Sequence, residues 1–272
     1  MDAESRAALG LSADEPVHGG CIHHCYRALR AGRPVFLKLN EARFADAFAA
    51  EADGLGALRR AGCHSPEPIA HGTVGHRAYL VMEWLELGAR GDFAALGAML
   101  AAMHRTQGAQ FGWQRDNYIG STPQENGACA SWAEFWRARR LAPQLALASR
   151  NGYRLDAPPV WRLLDGHEPA ASLLHGDLWS GNAAFLADGA PVLFDPAVYY
   201  GDREADVAMS ELFGGFPAGF YETYNQAWPL ARGYDLRKHL YNLYHLLNHL
   251  NLFGGGYLAQ VRSTLGLLAR AL

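Results

Sequence analysis

Two short segments carry residues whose types and spacing could do chemistry. His175-Gly176-Asp177-Leu178-Trp179-Ser180-Gly181-Asn182 is followed after a short gap by Val192-Leu193-Phe194-Asp195-Pro196. An Asp with an Asn five residues later, then a second Asp closing an apolar run, is the set phosphoryl transfer needs. One carboxylate orients and deprotonates a hydroxyl, and two oxygen ligands hold Mg²⁺ on a nucleotide. Ser180-Gly181 relaxes the backbone so that Asp177 and Asn182 can turn towards one point. Asp195 would arrive from a neighbouring strand. An amide oxygen and a carboxylate, completed by phosphate oxygens and water, suit a hard cation. Isolated Asp residues are usually turn or capping residues; the compound pattern favours the chemical reading.

Such a centre needs a cation for the phosphates and an acid to hold that cation in place. Pro34-Val35-Phe36-Leu37-Lys38-Leu39 reads as a strand with Val35, Leu37 and Leu39 on one face and Lys38 on the other. Phe44, Phe48, Glu51, Leu55 and Leu58 recur at helical spacing, so Glu51 lies on an apolar stripe. A buried carboxylate calls for a partner. Lys38 is the economical one, its ammonium then reaching the α- and β-phosphates of the nucleotide. Upstream, His18-Gly19-Gly20-Cys21-Ile22-His23-His24-Cys25-Tyr26 occupies the place of a phosphate-covering loop, with Gly19 and Gly20 allowing close backbone approach. It is neither GxGxxG nor a Walker sequence. Its clustered Cys and His residues also invite a metal reading, but Cys-x₃-Cys lacks the usual zinc spacing and no second ligand pair follows.

These residues resemble the fructosamine kinases, or ketosamine kinases, which share the fold of aminoglycoside phosphotransferases and choline kinases. The resemblance covers nearly the whole chain. It rests on Gly19-Gly20-Cys21-Ile22, Lys38, Glu51-Ala52-Asp53, His175 through Asn182, Phe194-Asp195-Pro196, Gly201-Asp202-Arg203-Glu204-Ala205-Asp206 and Leu252-Phe253-Gly254-Gly255. It implies an ATP-dependent kinase that phosphorylates a sugar hydroxyl on a ketosamine, the adduct left when a sugar glycates an amine or a protein lysine, with deglycation as the purpose. Asp177 would be the base, Asn182 and Asp195 the Mg²⁺ ligands and Lys38 the phosphate contact. The family's loop often carries a third Gly where this chain has His18. The resemblance also places a redox-sensitive Cys at Cys21, where nearby N–H groups could lower its pKa; its oxidation would inhibit the enzyme by crosslinking or displacing the loop, so a monomer or a redox-linked dimer is expected.

The expected fold is α+β and two-lobed, protein-kinase-like: a small N-terminal nucleotide-binding lobe over 1–82 with an antiparallel sheet and one helix, and a larger, mainly helical catalytic and substrate-binding lobe over 83–272. Strand signals, including Tyr79-Leu80-Val81-Met82, concentrate before residue 83, and helical periodicity follows. Glu83-Trp84-Leu85 opens a hinge near 83–87, where backbone groups of Glu83 and Leu85 would hold adenine. Phe93, Leu96, Leu100 and Met103 form one core stripe, and Leu236, Leu240, Leu243, Leu247 and Leu250 another. Asp202 and its acidic neighbours suit a helix start; for Asp206, capping and bracing the catalytic loop from behind stand as equal readings. Phe111 to Gly127 shows no clear periodicity, and a loop in this position could cover the acceptor site, with Asp116 as a contact. Trp179 could stack on a sugar or pack between catalytic loop and lobe.

Lys plus Arg number 24 against 27 Asp plus Glu, a net charge of −3, with no dense basic run, so nucleic acid is not expected as a partner. Met1-Asp2-Ala3-Glu4-Ser5 lacks the charged and apolar regions of a secretory signal, and Phe93 to Met103 is too short to span a membrane. A cytoplasmic protein with no membrane partner is expected, its Cys residues at 21, 25, 63 and 129 reduced. Two other readings remain: a kinase for an aminoglycoside or amino alcohol, and a nucleotide-binding regulator without catalysis. Intact Lys38, Glu51, Asp177, Asn182 and Asp195 weigh against the regulator.

Overall fold

A computed structural model describes residues 3–17 and 23–272. The expectations placed on Gly19, Gly20 and Cys21 lie outside these residues. A short helix α1 (Ala3–Ala8) leads into β1 (Leu11–Pro16), β2 (His24–Arg30) and β3 (Arg33–Glu41). Helix α2 (Ala45–Arg60) then precedes β4 (Pro68–Val74) and β5 (Arg77–Glu83). The five strands form one antiparallel sheet in the order β1-β2-β3-β5-β4.

The period-2 alternation of β3 puts its side chains on two buried faces. Val35, Leu37 and Leu39 pack with Leu9, Leu11, Ala28 and Val81 on one. On the other, Phe36 joins Leu80 and Met82 against Phe48, Ala52 and Leu55 of α2. Lys38 therefore emerges on the face that α2 covers, because it is one residue out of phase with the Val-Leu-Leu set.

The remainder is mainly helical: α3 (Phe93–His104), a hairpin of β6 (Asn117–Ile119) and β7 (Thr122–Gln124), then α4 (Trp132–Trp136) and α5 (Ala142–Arg150) joined by a wide π-type turn. Next come β8 (Ser172–Leu174), β9 (Ala183–Phe185), β10 (Pro191–Leu193) and β11 (Tyr199–Gly201). Helices α6 (Glu204–Leu212), α7 (Ala218–Ala227), α8 (Tyr234–Phe253) and α9 (Leu258–Ala269) complete the chain. Both apolar stripes read from the sequence are core: Leu96, Leu100 and Met103 of α3, and Leu240, Leu243, Leu247 and Leu250 of α8, are buried. Asp92 caps α3, its carboxylate accepting from the Ala95 amide at 2.9 Å. No helix among the described residues is long and apolar enough to cross a membrane.

Helix α8 also buries His245, whose Nδ1 has no hydrogen-bond partner among the described residues. Burial, with the neighbouring His249 and Arg140 and against the pull of Asp206, holds its pKa down to about 3 from 6.5. A histidine kept neutral in the fold contributes stability fully present above about pH 6.5, and loses it as the pH falls towards its folded pKa, because the unfolded chain takes the proton first. The urea midpoint is expected to fall between pH 6.5 and 4. His245→Leu should flatten that slope by up to about 1.4 kcal/mol per pH unit, and an unchanged slope would assign the acid sensitivity to other groups.

Candidate active site

The loop from His175 to Asn182 hangs between β8 and β11, which pair antiparallel with Leu174 opposite Tyr199. Immediately after β8 the chain turns at Gly176 with φ 82°. A Cβ at this position would lie 2.1 Å from the Ala197 carbonyl oxygen, so both the dihedral and the space require glycine. Behind the turn sits Asp206 of α6, buried. Its Oδ2 accepts from the His175 amide at 2.6 Å and its Oδ1 from the Gly176 amide at 2.8 Å, while Oδ2 also meets His104 Nε2 at 3.1 Å. Burial pushes the Asp206 pKa up, but His104, His175 and the Gly176 amide outweigh it, and the net shift is downward. The two readings of this acidic run are thereby divided: Asp206 braces the loop, and Asp202 Oδ1 takes the Glu204 amide at 3.0 Å at the helix start.

His175 fastens the loop to the second segment. Its Nε2 lies 3.0 Å from the Phe194 carbonyl and its Nδ1 accepts from the Asp177 amide at 3.3 Å, the pattern of a neutral ring, and burial lowers its pKa accordingly. Asn182 Nδ2 donates to the Asp177 carbonyl at 2.8 Å and to Asp177 Oδ2 at 3.1 Å. With its N–H donors turned to Asp177, the amide leaves its oxygen for a cation. Burial, then the charge of Asp195, raises the Asp177 pKa to about 7 against the opposing Asn182 bond. That environment makes Asp177 a candidate base poised near neutrality.

Asp195 has φ 55°, a left-handed conformation rare outside glycine. The Ala197 amide holds the following turn by donating to the His175 carbonyl at 2.8 Å. Lys38 Nζ lies 2.7 Å from Glu51 Oε1 and 2.5 Å from Asp195 Oδ1. Desolvation disfavours the charged amine, yet the two carboxylates overcome it and the Lys38 pKa rises. Burial lifts Glu51 to about 7 despite Lys38, with Asp195 pushing the same way. Asp195, whose side chain is 45% exposed, resists its own desolvation and stays below the usual carboxylate range because Lys38 is against it. Asn182 and Asp195 supply the amide and carboxylate oxygens that Mg²⁺ prefers, so this donor set fits that ion.

A base candidate, two hard oxygen donors and a lysine paired to a helix carboxylate are what a phosphotransferase requires. The family profile described as Fructosamine kinase matches residues 2–270. The chain belongs to the fructosamine kinase family. "Probable ketoamine kinase" of Synechocystis sp. is 50% identical over 259 residues, covering 92% of this chain and 88% of that protein. "Protein-ribulosamine 3-kinase, chloroplastic" of Oryza sativa subsp. indica is 39% identical over 272 residues, covering 94% and 78%. A crystal structure from Haemophilus somnus, provisionally named a fructosamine-3-kinase, superposes with a TM-score of 0.89 at 29% identity, covering 95% of this chain and 91% of that one. The expected α+β, two-lobed kinase-like fold is the one observed.

Other residues singled out from the sequence of this fructosamine kinase family member sit around the centre in distinct ways. Trp179 is 37% exposed, folds over Gly181 and meets Phe213 edge-on at 6.3 Å. Glu83 ends β5, its amide donating to the Glu67 carbonyl at 2.9 Å; Leu85 is half-buried just beyond. The Glu83 side chain faces Arg59 at 3.8 Å. Asp116 is exposed and its Oδ1 accepts from the Asn126 amide at 2.7 Å, a bond internal to its own segment. No bond joins Asp116 to Asp177, Asn182 or Asp195 among the described residues. Sequence reasoning missed His104 as a support; its signal was a polar residue closing the apolar stripe of α3.

Proposed function

We propose that the protein is an ATP-dependent kinase that transfers the γ-phosphoryl group to a sugar hydroxyl of ketosamines, the fructosamine or ribulosamine adducts of amines or protein lysines. The observation that carries this reading is the convergence of Lys38, Glu51 and Asp195 beside the Asp177–Asn182 pair in a chain of this family. Asp177 accepts the proton of the acceptor hydroxyl, and Lys38 contacts the α- and β-phosphates. Asn182 and Asp195 hold Mg²⁺, which when bound offsets charge on the phosphates. Trp179 presents its ring to the sugar. Residues 1–82 act as the nucleotide lobe and 83–272 as the catalytic and acceptor lobe, with adenine against the backbone of Glu83 and Leu85. The setting is cytoplasmic, and the role is removal of glycation adducts, since phosphorylation of the sugar makes the adduct labile.

ADP release from ATP and Mg²⁺ with ribulose-lysine, fructose-lysine, an aminoglycoside and choline in parallel separates the readings. Turnover confined to the ketosamines supports this one and ranks the sugars. Turnover only with the aminoglycoside or choline keeps a kinase and replaces its substrate. ATP binding without turnover on any acceptor leaves a regulator.

A further inference from the structure

The aperiodic segment between Phe111 and Gly127 makes two sets of contacts that meet at the site. Its first half grips α2 at two points two turns apart. Trp113 Nε1 donates to Asp53 Oδ2 at 2.6 Å, and Gln114 Nε2 to Asp53 Oδ1 at 3.2 Å. Arg115 Nη2 donates to Asp46 Oδ1 at 2.6 Å and Tyr118 OH to Asp46 Oδ2 at 3.1 Å. Asp46 and Asp53, seven residues apart, share one face of the helix, and Glu51 lies between them in the chain.

The same segment also grips the chain just beyond Asp195. From the β6–β7 hairpin, Asn117 Nδ2 donates to the Val198 carbonyl at 2.8 Å and Gln124 Nε2 to the Ala197 carbonyl at 3.3 Å. Both amides are buried and held from behind. Gln124 Nε2 also donates to Asn117 Oδ1 at 2.7 Å, Gln124 Oε1 accepts from Tyr244 OH at 2.7 Å, and Asn117 Oδ1 accepts from Asn126 Nδ2 at 2.9 Å. Arg140 closes the network on Asn126 Oδ1 at 2.8 Å. The two gripped elements touch each other where Gly54 of α2 faces Pro196; a Cβ there would sit 3.0 Å from Pro196 Cγ.

One segment thus holds both the helix that carries Glu51 and the stretch of chain just after Asp195, the two carboxylates that meet on Lys38. We propose that residues 113–126 form a yoke that fixes the separation of Glu51 and Asp195, and that Asp53 and Trp113 are positioning residues acting on ATP through the Lys38–Glu51 pair. Exposed and half-buried bonds tie α2 to the yoke, and buried amides fix the yoke itself against Ala197 and Val198. Buried, fully partnered amides hold one geometry because any shift leaves desolvated groups unpaired. This rests on the reading of Lys38 and Glu51 as the phosphate-binding pair.

Steady-state kinetics of Trp113→Phe, which deletes the indole N–H and keeps an aromatic ring beside Tyr200, tests it on the intact chain. The expected result is a fall in kcat/KM for ATP of about 2- to 30-fold, with KM for the ketosamine unchanged. Tyr118→Phe, at the other grip, should give the same pattern in smaller degree and serves if Trp113→Phe does not fold. The decisive comparison adds Trp113→Phe to Glu51→Gln. A yoke that acts through Glu51 has nothing left to position, so the double variant should match Glu51→Gln alone. Losses that multiply, or a lowered melting temperature with unchanged kinetics for ATP, would overturn the yoke and leave a structural brace. If Glu51→Gln itself leaves kcat/KM for ATP unchanged, the phosphate-binding reading falls and the yoke with it.

Discussion

Replacing Asp177 by Asn is expected to lower kcat for ketosamine phosphorylation by roughly 10²- to 10⁴-fold, the span general-base catalysis commonly supplies, while ATP still binds. The substitution keeps the shape of the side chain and removes its capacity to take a proton. The loop is held by groups other than this carboxylate: Asp206 on the His175 and Gly176 amides, and Asn182 on the Asp177 backbone carbonyl. The loss should therefore appear in kcat, with the thermal midpoint close to that of the parent. Steady-state rates beside a melting curve check both halves. A variant that retains full kcat would remove Asp177 from the chemistry and leave its carboxylate only the bond from Asn182.

Asp206→Ala is expected to have the largest effect on stability. It strands two buried backbone N–H groups, on His175 and Gly176, and removes the Nε2 partner of the fully buried His104, leaving that ring only its bond to Tyr224. Removing one partner from a buried charged network costs about 3–5 kcal/mol. For a chain of this size the melting temperature should fall by roughly 6–20 °C. Activity measured well below that midpoint should fall too, since the turn at Gly176 sets where Asp177 stands. Asp206→Asn should be milder in both respects, as its amide oxygen can still accept one N–H. A melting temperature unchanged in Asp206→Ala would mean that the turn is held by Gly176 and its close approach to Ala197 alone.

How legible each part was in the sequence depends on the range of the interactions that make it. Lys38 is out of phase with Val35, Leu37 and Leu39, and Glu51 interrupts an apolar stripe; both signals lie within one strand or helix, and the two residues do meet. The segment from His175 to Asn182 is a short loop whose residues bond to one another, so its geometry is local as well. Asp206 was ambiguous because a carboxylate in a first helical turn can serve its own helix or something behind it. Only the position of the His175 and Gly176 amides, far earlier in the chain, decides between them.

The stretch from Phe111 to Gly127 shows the opposite case. Its strands β6 and β7 are three residues each, too short for an alternation to register. Its inward residues include Asn117 and Gln124 beside Ile119 and Thr122, and the partners of those two amides, Val198, Ala197 and Tyr244, come from remote parts of the chain. Polarity ordinarily signals a solvated loop, and here it marks a buried, hydrogen-bonded network. The left-handed backbone at Asp195 was equally hidden, since no glycine announces it.

The most direct test of the central claim is mass spectrometry of a ribulosylated or fructosylated lysine peptide after incubation with the protein, ATP and Mg²⁺. The expected result is one phosphate added to the sugar, with an equal amount of ADP formed and both products formed roughly 10²- to 10⁴-fold more slowly by the Asp177→Asn control. ATP bound by the protein while neither ketosamine gains a phosphate would contradict it.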